Sequence, residues 1–90
     1  MHKVVFTEEA KKRISKLDER TKAKIKIACE EIGTDPLIGK PLTRELKGRF
    51  SYRVGNYRII YRVYRDQVMV LILTVGHRKD IYTIMLRKNW

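Results

Sequence analysis

The sequence predicts an α+β domain: an N-terminal strand, an antiparallel helical hairpin, and a mainly antiparallel sheet that ends in a meander. Three observations predict it. Apolar residues recur at helical spacing from about residue 10 to residue 32. Aromatic and β-branched residues dominate from residue 49 to residue 75. Between these textures lie Pro36, Gly39, Pro41 and Gly48, which mark a connecting loop. Helices grouped before strands argue for α+β rather than an alternating α/β order. The 90 residues suit one domain, spanning 1–90.

Lys3-Val4-Val5-Phe6 is a short β-rich run. Thr7 follows as an N-cap, and Glu8 and Glu9 put negative charge in the first helical turn, where the dipole favours it. Ala10, Ile14 and Leu17 recur at helical spacing, so a first helix is expected to about Leu17. Asp18 is a second N-cap. Ile25, Ala28, Cys29 and Ile32 form the next stripe, with Lys22, Lys24, Lys26, Glu30 and Glu31 largely off it. Gly33 reads as its stop. The turn between the helices is short, which predicts antiparallel packing.

Arg49 to Val54 reads as a strand, Gly55-Asn56 as a tight turn, and Tyr57 to Tyr64 as the returning strand. Tyr57, Ile59, Tyr61 and Val63 share one face of it; Arg58, Ile60, Arg62 and Tyr64 share the other. Arg65-Asp66-Gln67 turns the chain. Val68 to Val75 is apolar on both faces, which predicts a central strand covered on at least one side. A short helix is expected around Tyr82 to Arg87. The helical hairpin should cover one sheet face and leave the other for a partner.

Charge is the dominant compositional feature. Lys plus Arg number 21 against 10 acids, a net +11 with a pI near 10.1. Self-repulsion at that charge favours a polyanion or an acidic partner. A hydrophobic content of 43% permits a modest core but no deep dry pocket, so chemistry is expected on a surface or in a shallow groove. One cysteine, Cys29, excludes an intramolecular disulfide; in its apolar stripe it reads as a core residue. Two histidines and one cysteine lack ligand spacing, and there is no Gly-rich phosphate loop, so neither metal nor other cofactor is expected. The longest apolar run is far below the ~20 residues of a membrane span. Met1-His2-Lys3-Val4 has no signal-peptide core, so the expected location is cytoplasmic, with no membrane partner.

The charge is unevenly placed. Residues 1–46 hold 11 Lys/Arg and 8 acids, a net +3; residues 47–90 hold 10 and 2, a net +8. Seven of the ten arginines fall after Leu46: Arg49, Arg53, Arg58, Arg62, Arg65, Arg78 and Arg87. Arginine offers a planar fork that matches phosphate, where lysine offers a point charge. Tyr52, Tyr57, Tyr61, Tyr64 and Tyr82 are interleaved, and aromatics beside arginine can stack unpaired bases. Tyr57 and Tyr61 share a face with Ile59 and Val63, so they read as core instead. Arg53, Lys47, Arg49 and Arg62 are the candidate RNA-binding cations.

Leu46-Lys47-Gly48 is followed by Tyr52-Arg53-Val54-Gly55-Asn56-Tyr57-Arg58-Ile59-Ile60-Tyr61. Later comes Val75-Gly76-His77-Arg78-Lys79-Asp80-Ile81-Tyr82. In this order and spacing the two runs resemble the central hairpin and C-terminal segment of the RelE/ParE toxin superfamily. The resemblance spans nearly the whole chain. It implies a RelE-like fold related to small microbial ribonucleases. RelE-type members enter the ribosomal A site and cleave mRNA there; ParE-type members poison DNA gyrase. Both are silenced by a cognate antitoxin.

Carried over by position, the resemblance makes Arg58 the arginine facing the scissile phosphate and Arg78 the second active-site arginine. Tyr82 matches the C-terminal tyrosine of the site. Arg53 falls where the family often has lysine, and His77 where it has lysine or histidine. The other strand lysine aligns near Ser51, which supplies no charge. Metal-free RNA cleavage uses the 2′-OH as nucleophile and needs a proton acceptor, charge stabilisation at phosphorus and a proton for the leaving 5′ oxygen. Arg58 and Arg78 suit the phosphate. His77 or Tyr82 suits the proton, though His77 also reads as a turn residue that hydrogen-bonds its neighbours. Glu45 is the only carboxylate near the hairpin.

The expected protein is therefore a toxin and ribosome-dependent endoribonuclease, without a small-molecule substrate. A gyrase poison and a non-catalytic RNA-binding module are the alternatives. Its expected partners are the ribosome, mRNA and a RelB-like antitoxin. It is expected to be a monomer alone and an oligomer with the antitoxin.

Overall fold

The computed structural model describes residues 1–87. Strand β1 (Lys3–Phe6) leads into helices α1 (Glu8–Ser15) and α2 (Glu19–Thr34). A two-residue strand β2 (Lys40–Pro41) and a 3-10 turn (Arg44–Leu46) precede β3 (Phe50–Val54) and β4 (Tyr57–Tyr64). A second 3-10 turn (Arg65–Gln67), β5 (Met69–His77) and α3 (Ile81–Arg87) complete the order. The five strands form one sheet in the order β1-β5-β4-β3-β2. The β1–β5 pair is parallel and the other three are antiparallel. This is the mixed α+β architecture that the segregation of helical and strand patterns predicts.

Both helix starts are capped by side chains. Thr7 Oγ1 accepts from the Ala10 N–H at 3.0 Å, and Asp18 Oδ1 from the Thr21 N–H at 2.7 Å. The second helix passes Gly33 and ends at Thr34, with Asp35 outside helical geometry. The following Pro36 explains this, because proline disfavours helical conformation in the residue before it. Gly33 has a different role. A Cβ there would lie 2.8 Å from Val4 Cγ2, so glycine lets α2 lie close against β1.

On one sheet face, Ala10, Ile25, Ala28, Cys29 and Ile32 of the helical hairpin pack on Ile59, Tyr61, Val70, Ile72 and Val75. The opposite face is not left bare, contrary to expectation. Ile81 and Met85 of α3 pack on Ile60 and Leu73, flanked by Leu42 and Leu46 from the segment between α2 and β3. Strand β5 is apolar on both sides because both sides are covered. A bulge interrupts its pairing with β4: Ile60 faces Thr74 and Tyr61 faces Ile72, which leaves Leu73 as the extra residue.

The loop after α2 is tied down by one buried side chain. The Tyr61 hydroxyl donates to the Pro36 carbonyl at 2.8 Å and accepts from the Gly39 N–H at 3.0 Å. At the β3–β4 turn, Gly55 has φ +59°, while Asn56 has no positive φ. That suits a type II′ hairpin, whose first central position favours glycine.

Candidate nucleic-acid interface

Phe50 and Tyr52 of β3 turn toward the helical hairpin, so alternation sends Ser51 and Arg53 to the other face. Arg58 and Ile60 of β4 share that face. Arg53 and Arg58 are direct cross-strand partners, and Ser51 faces Ile60. Helix α3 brings Tyr82 over the same spot. Arg58 Nη1 donates to Ser51 Oγ at 3.1 Å, and the Tyr82 hydroxyl donates to the same oxygen at 3.2 Å. The Arg58 guanidinium carbon lies 6.0 Å from the centre of the Tyr82 ring. Two residues that sequence reading pairs only by resemblance are thus joined through a third.

Arg78 begins the turn after β5, where its N–H donates to the Asn56 carbonyl at 2.7 Å. This fixes the backbone of Arg78 beside the β3–β4 turn. Its side chain is exposed and has no partner among the described residues. Arg53 is exposed as well, and its Nε donates to the Gly55 carbonyl at 3.3 Å. The ion pairs Lys11–Glu8, Arg13–Glu9 and Lys22–Glu19 all lie within helices. Among the described residues, no carboxylate pairs with Arg53, Arg58 or Arg78. Directly opposed like charges destabilise a strand pair, and an anion at this end of the sheet would relieve that repulsion.

The remaining basic candidates lie toward the other end of the same strand pair. Arg62 is four residues beyond Arg58, about 13 Å at the strand rise. Its guanidinium carbon sits 5.7 Å from the centre of the Tyr64 ring. Lys47 and Arg49 lie on the segment entering β3. Lys47 is exposed, and Arg49 Nη1 donates to the Lys47 carbonyl at 3.3 Å. Arg49 Nε is buried without a hydrogen-bond partner among the described residues.

His77 does not join this group. It pairs with Tyr57 in an edge-to-face contact, ring centres 5.7 Å apart, and Tyr57 packs on the helical-hairpin side. Its Nδ1 accepts from the Lys79 N–H at 3.2 Å, the local turn contact weighed as its alternative role. Glu45 is exposed on its 3-10 turn. Cys29 is no nucleophile, since burial pushes its thiol up to about 12. An apolar concavity of about 720 Å³ lies away from Arg53, Arg58 and Arg78, between the helical hairpin and β1, lined by Val4, Phe6, Ile14 and Ile25. Its apolar walls suit packing rather than phosphate chemistry.

Known proteins share this fold. The family model for the ParE toxin of type II toxin–antitoxin systems matches residues 4–82. The chain belongs to the RelE/ParE toxin superfamily. The toxin is 44% identical over 81 residues to Toxin RelG of Mycobacterium tuberculosis, covering 88% of this chain and 93% of that one. It is 33% identical over 85 residues to Toxin RelE of the same organism, covering 88% and 84%. A chain in the crystal structure of a RelBE toxin–antitoxin complex from M. tuberculosis superposes with TM-score 0.81 at 40% identity. That superposition covers 86% of this toxin and 98% of that chain. The isolated Escherichia coli RelE toxin has the same fold, with TM-score 0.75 over 97% of each chain.

Ser51 is the residue that sequence reading undervalued. It registered only as an absent lysine. The signal available was a small hydroxyl on the strand face that also carries Arg53, in a strand otherwise built of large side chains. What it holds depends on β4 and α3, which sequence spacing does not bring together.

Proposed function

We propose that this toxin inhibits translation by cleaving mRNA in the ribosomal A site without a metal ion. One observation carries the reading: Arg58 and Tyr82 meet at Ser51, across from Arg53 and near the turn that starts at Arg78, and among the described residues no carboxylate pairs with these arginines. In the reaction the 2′-OH loses its proton to water as its oxygen attacks phosphorus, a 2′,3′-cyclic phosphate forms, and the 5′ oxygen leaves with a proton from Tyr82. Arg58 and Arg78 bind the phosphate and stabilise its growing charge; one such pre-organised contact contributes about 3 kcal/mol. Tyr82 is the proton carrier within reach, and its ring can also stack on a base. His77 lies across the sheet and is assigned no step. Lys47, Arg49, Arg53 and Arg62 extend the phosphate track along β3 and β4.

Arg53 and Arg78 are exposed, so orientation of the RNA comes from elsewhere. A ribosome that holds the message supplies it, and the toxin adds charge and a proton carrier. The M. tuberculosis relative is crystallised as a toxin–antitoxin complex, and we extend a RelB-like antitoxin partner to this chain. An acidic antitoxin segment over the arginine face would neutralise it. The toxin alone would be monomeric and cytoplasmic, where ribosomes are.

The deciding experiment is primer extension on a defined mRNA with programmed ribosomes. Wild type is expected to cut within the A-site codon only when ribosomes are present. Arg78→Ala should lower the rate by roughly 100-fold or more. Folded wild-type protein that makes no cuts would shift the reading to gyrase poisoning, with DNA supercoiling as the next assay.

A further inference from the structure

We infer that Ser51 is a positioning residue that locks Arg58 and Tyr82 into one unit, an inference that rests on the cleavage function proposed above. Ser51 sits within β3 and is only 2% exposed. Its Oγ accepts from Arg58 Nη1 of β4 at 3.1 Å and from the Tyr82 hydroxyl of α3 at 3.2 Å. Among the described residues, no other hydrogen bond joins α3 to the β3–β4 hairpin. A nearly buried oxygen thereby sets the guanidinium against the phenol.

The chemistry of the hydroxyl suits this task better than an ammonium would. A serine oxygen has two acceptor lone pairs and one proton. Arg58 and Tyr82 occupy both lone pairs, which leaves the Ser51 proton free. When Tyr82 passes its proton on, Ser51 can turn and donate to the tyrosine oxygen while Arg58 still donates to Ser51. The junction therefore persists through a proton transfer at Tyr82. A lysine here has no acceptor and would set a second cation against Arg58. The serine that looked like a loss of charge instead exchanges a point charge for a fixed geometry, with Arg53 keeping a cation on the same strand face.

The test uses the full toxin, programmed ribosomes and single-turnover cleavage. Ser51→Ala is expected to slow cleavage by roughly 10- to 100-fold, the effect of about 1 Å of misplacement. The ribosome concentration giving half-maximal rate should change little. Ser51→Thr, which keeps the hydroxyl, should stay within about 3-fold of wild type. Tyr82→Phe removes one of the two donors, so adding Ser51→Ala to it should cost less than adding Ser51→Ala to wild type. A merely structural serine would cost the same in both backgrounds. Equal costs, or wild-type cleavage by folded Ser51→Ala, would overturn the positioning role alone. Wild-type toxin that cuts nothing would overturn the function and this role together. If the alanine variant does not fold, Ser51→Cys replaces it, exchanging the oxygen for a weak sulfur acceptor.

Discussion

At the residue scale, Tyr61 shows how one side chain serves both core and loop. Its ring stacks on Phe50 with centres 5.3 Å apart, and its hydroxyl bonds the backbone at Pro36 and Gly39. Tyr61→Phe keeps the ring and leaves the buried Gly39 N–H without its acceptor. It should destabilise the toxin by about 1–3 kcal/mol in urea unfolding near neutral pH. Burial, above all, raises the Tyr61 phenol above its ordinary 10.0. Its contribution is therefore complete below pH 10 and lost as pH rises through the higher folded value. Tyr61→Phe should make the alkaline loss of stability shallower; a limb as steep as wild type would place that titration elsewhere. The sequence marks Tyr61 as core from its neighbours, but the loop it anchors is visible only in the fold.

At the scale of elements, caps and turns were largely legible, because their signals lie within a few residues. Thr7, Asp18 and the Gly55-Asn56 turn fall where sequence placed them. Thr7 does more than cap: its Oγ1 also donates to the Leu73 carbonyl at 2.7 Å, binding the start of α1 to the central strand. The turn into β5 carries strain that sequence did not flag. Val68 has φ +48°, which a β-branched residue adopts at a cost of about 1–2 kcal/mol. Its side chain is 50% exposed, so little packing opposes a change. Val68→Gly should raise stability by up to about 1 kcal/mol, read as a higher urea midpoint with unchanged slope. A lower midpoint would mean that the valine packs more usefully than its exposure implies.

At the scale of the whole molecule, the net charge of +11 opposes a compact chain. Salt should raise the Tm of the toxin alone by screening that repulsion. A cognate acidic antitoxin should raise it further, by RT ln(1 + [L]/Kd), or about 2.7 kcal/mol at a hundred times the Kd. Thermal scans at low salt, with and without the neighbouring-gene product, would check this. An unchanged Tm on adding that product would count against an antitoxin that binds the folded toxin. Among the described residues, no helix is long and apolar enough to cross a membrane.

The sequence by itself determined the α+β class, the helical hairpin, the β3–β4 hairpin and the concentration of arginine in the second half. These follow from periodicity, turn chemistry and composition, which act over short stretches of chain. Only the tertiary structure decided that β1 lies parallel beside β5, that α3 covers the second sheet face, and that His77 and Arg58 look to opposite sides. It alone also placed Ser51 between Arg58 and Tyr82. Those outcomes depend on which faces bury against each other across dozens of residues, and on a bulge that leaves Leu73 as an extra residue in β5. Pattern along a chain identifies what each face wants to bury, but the partner that buries it is settled by packing.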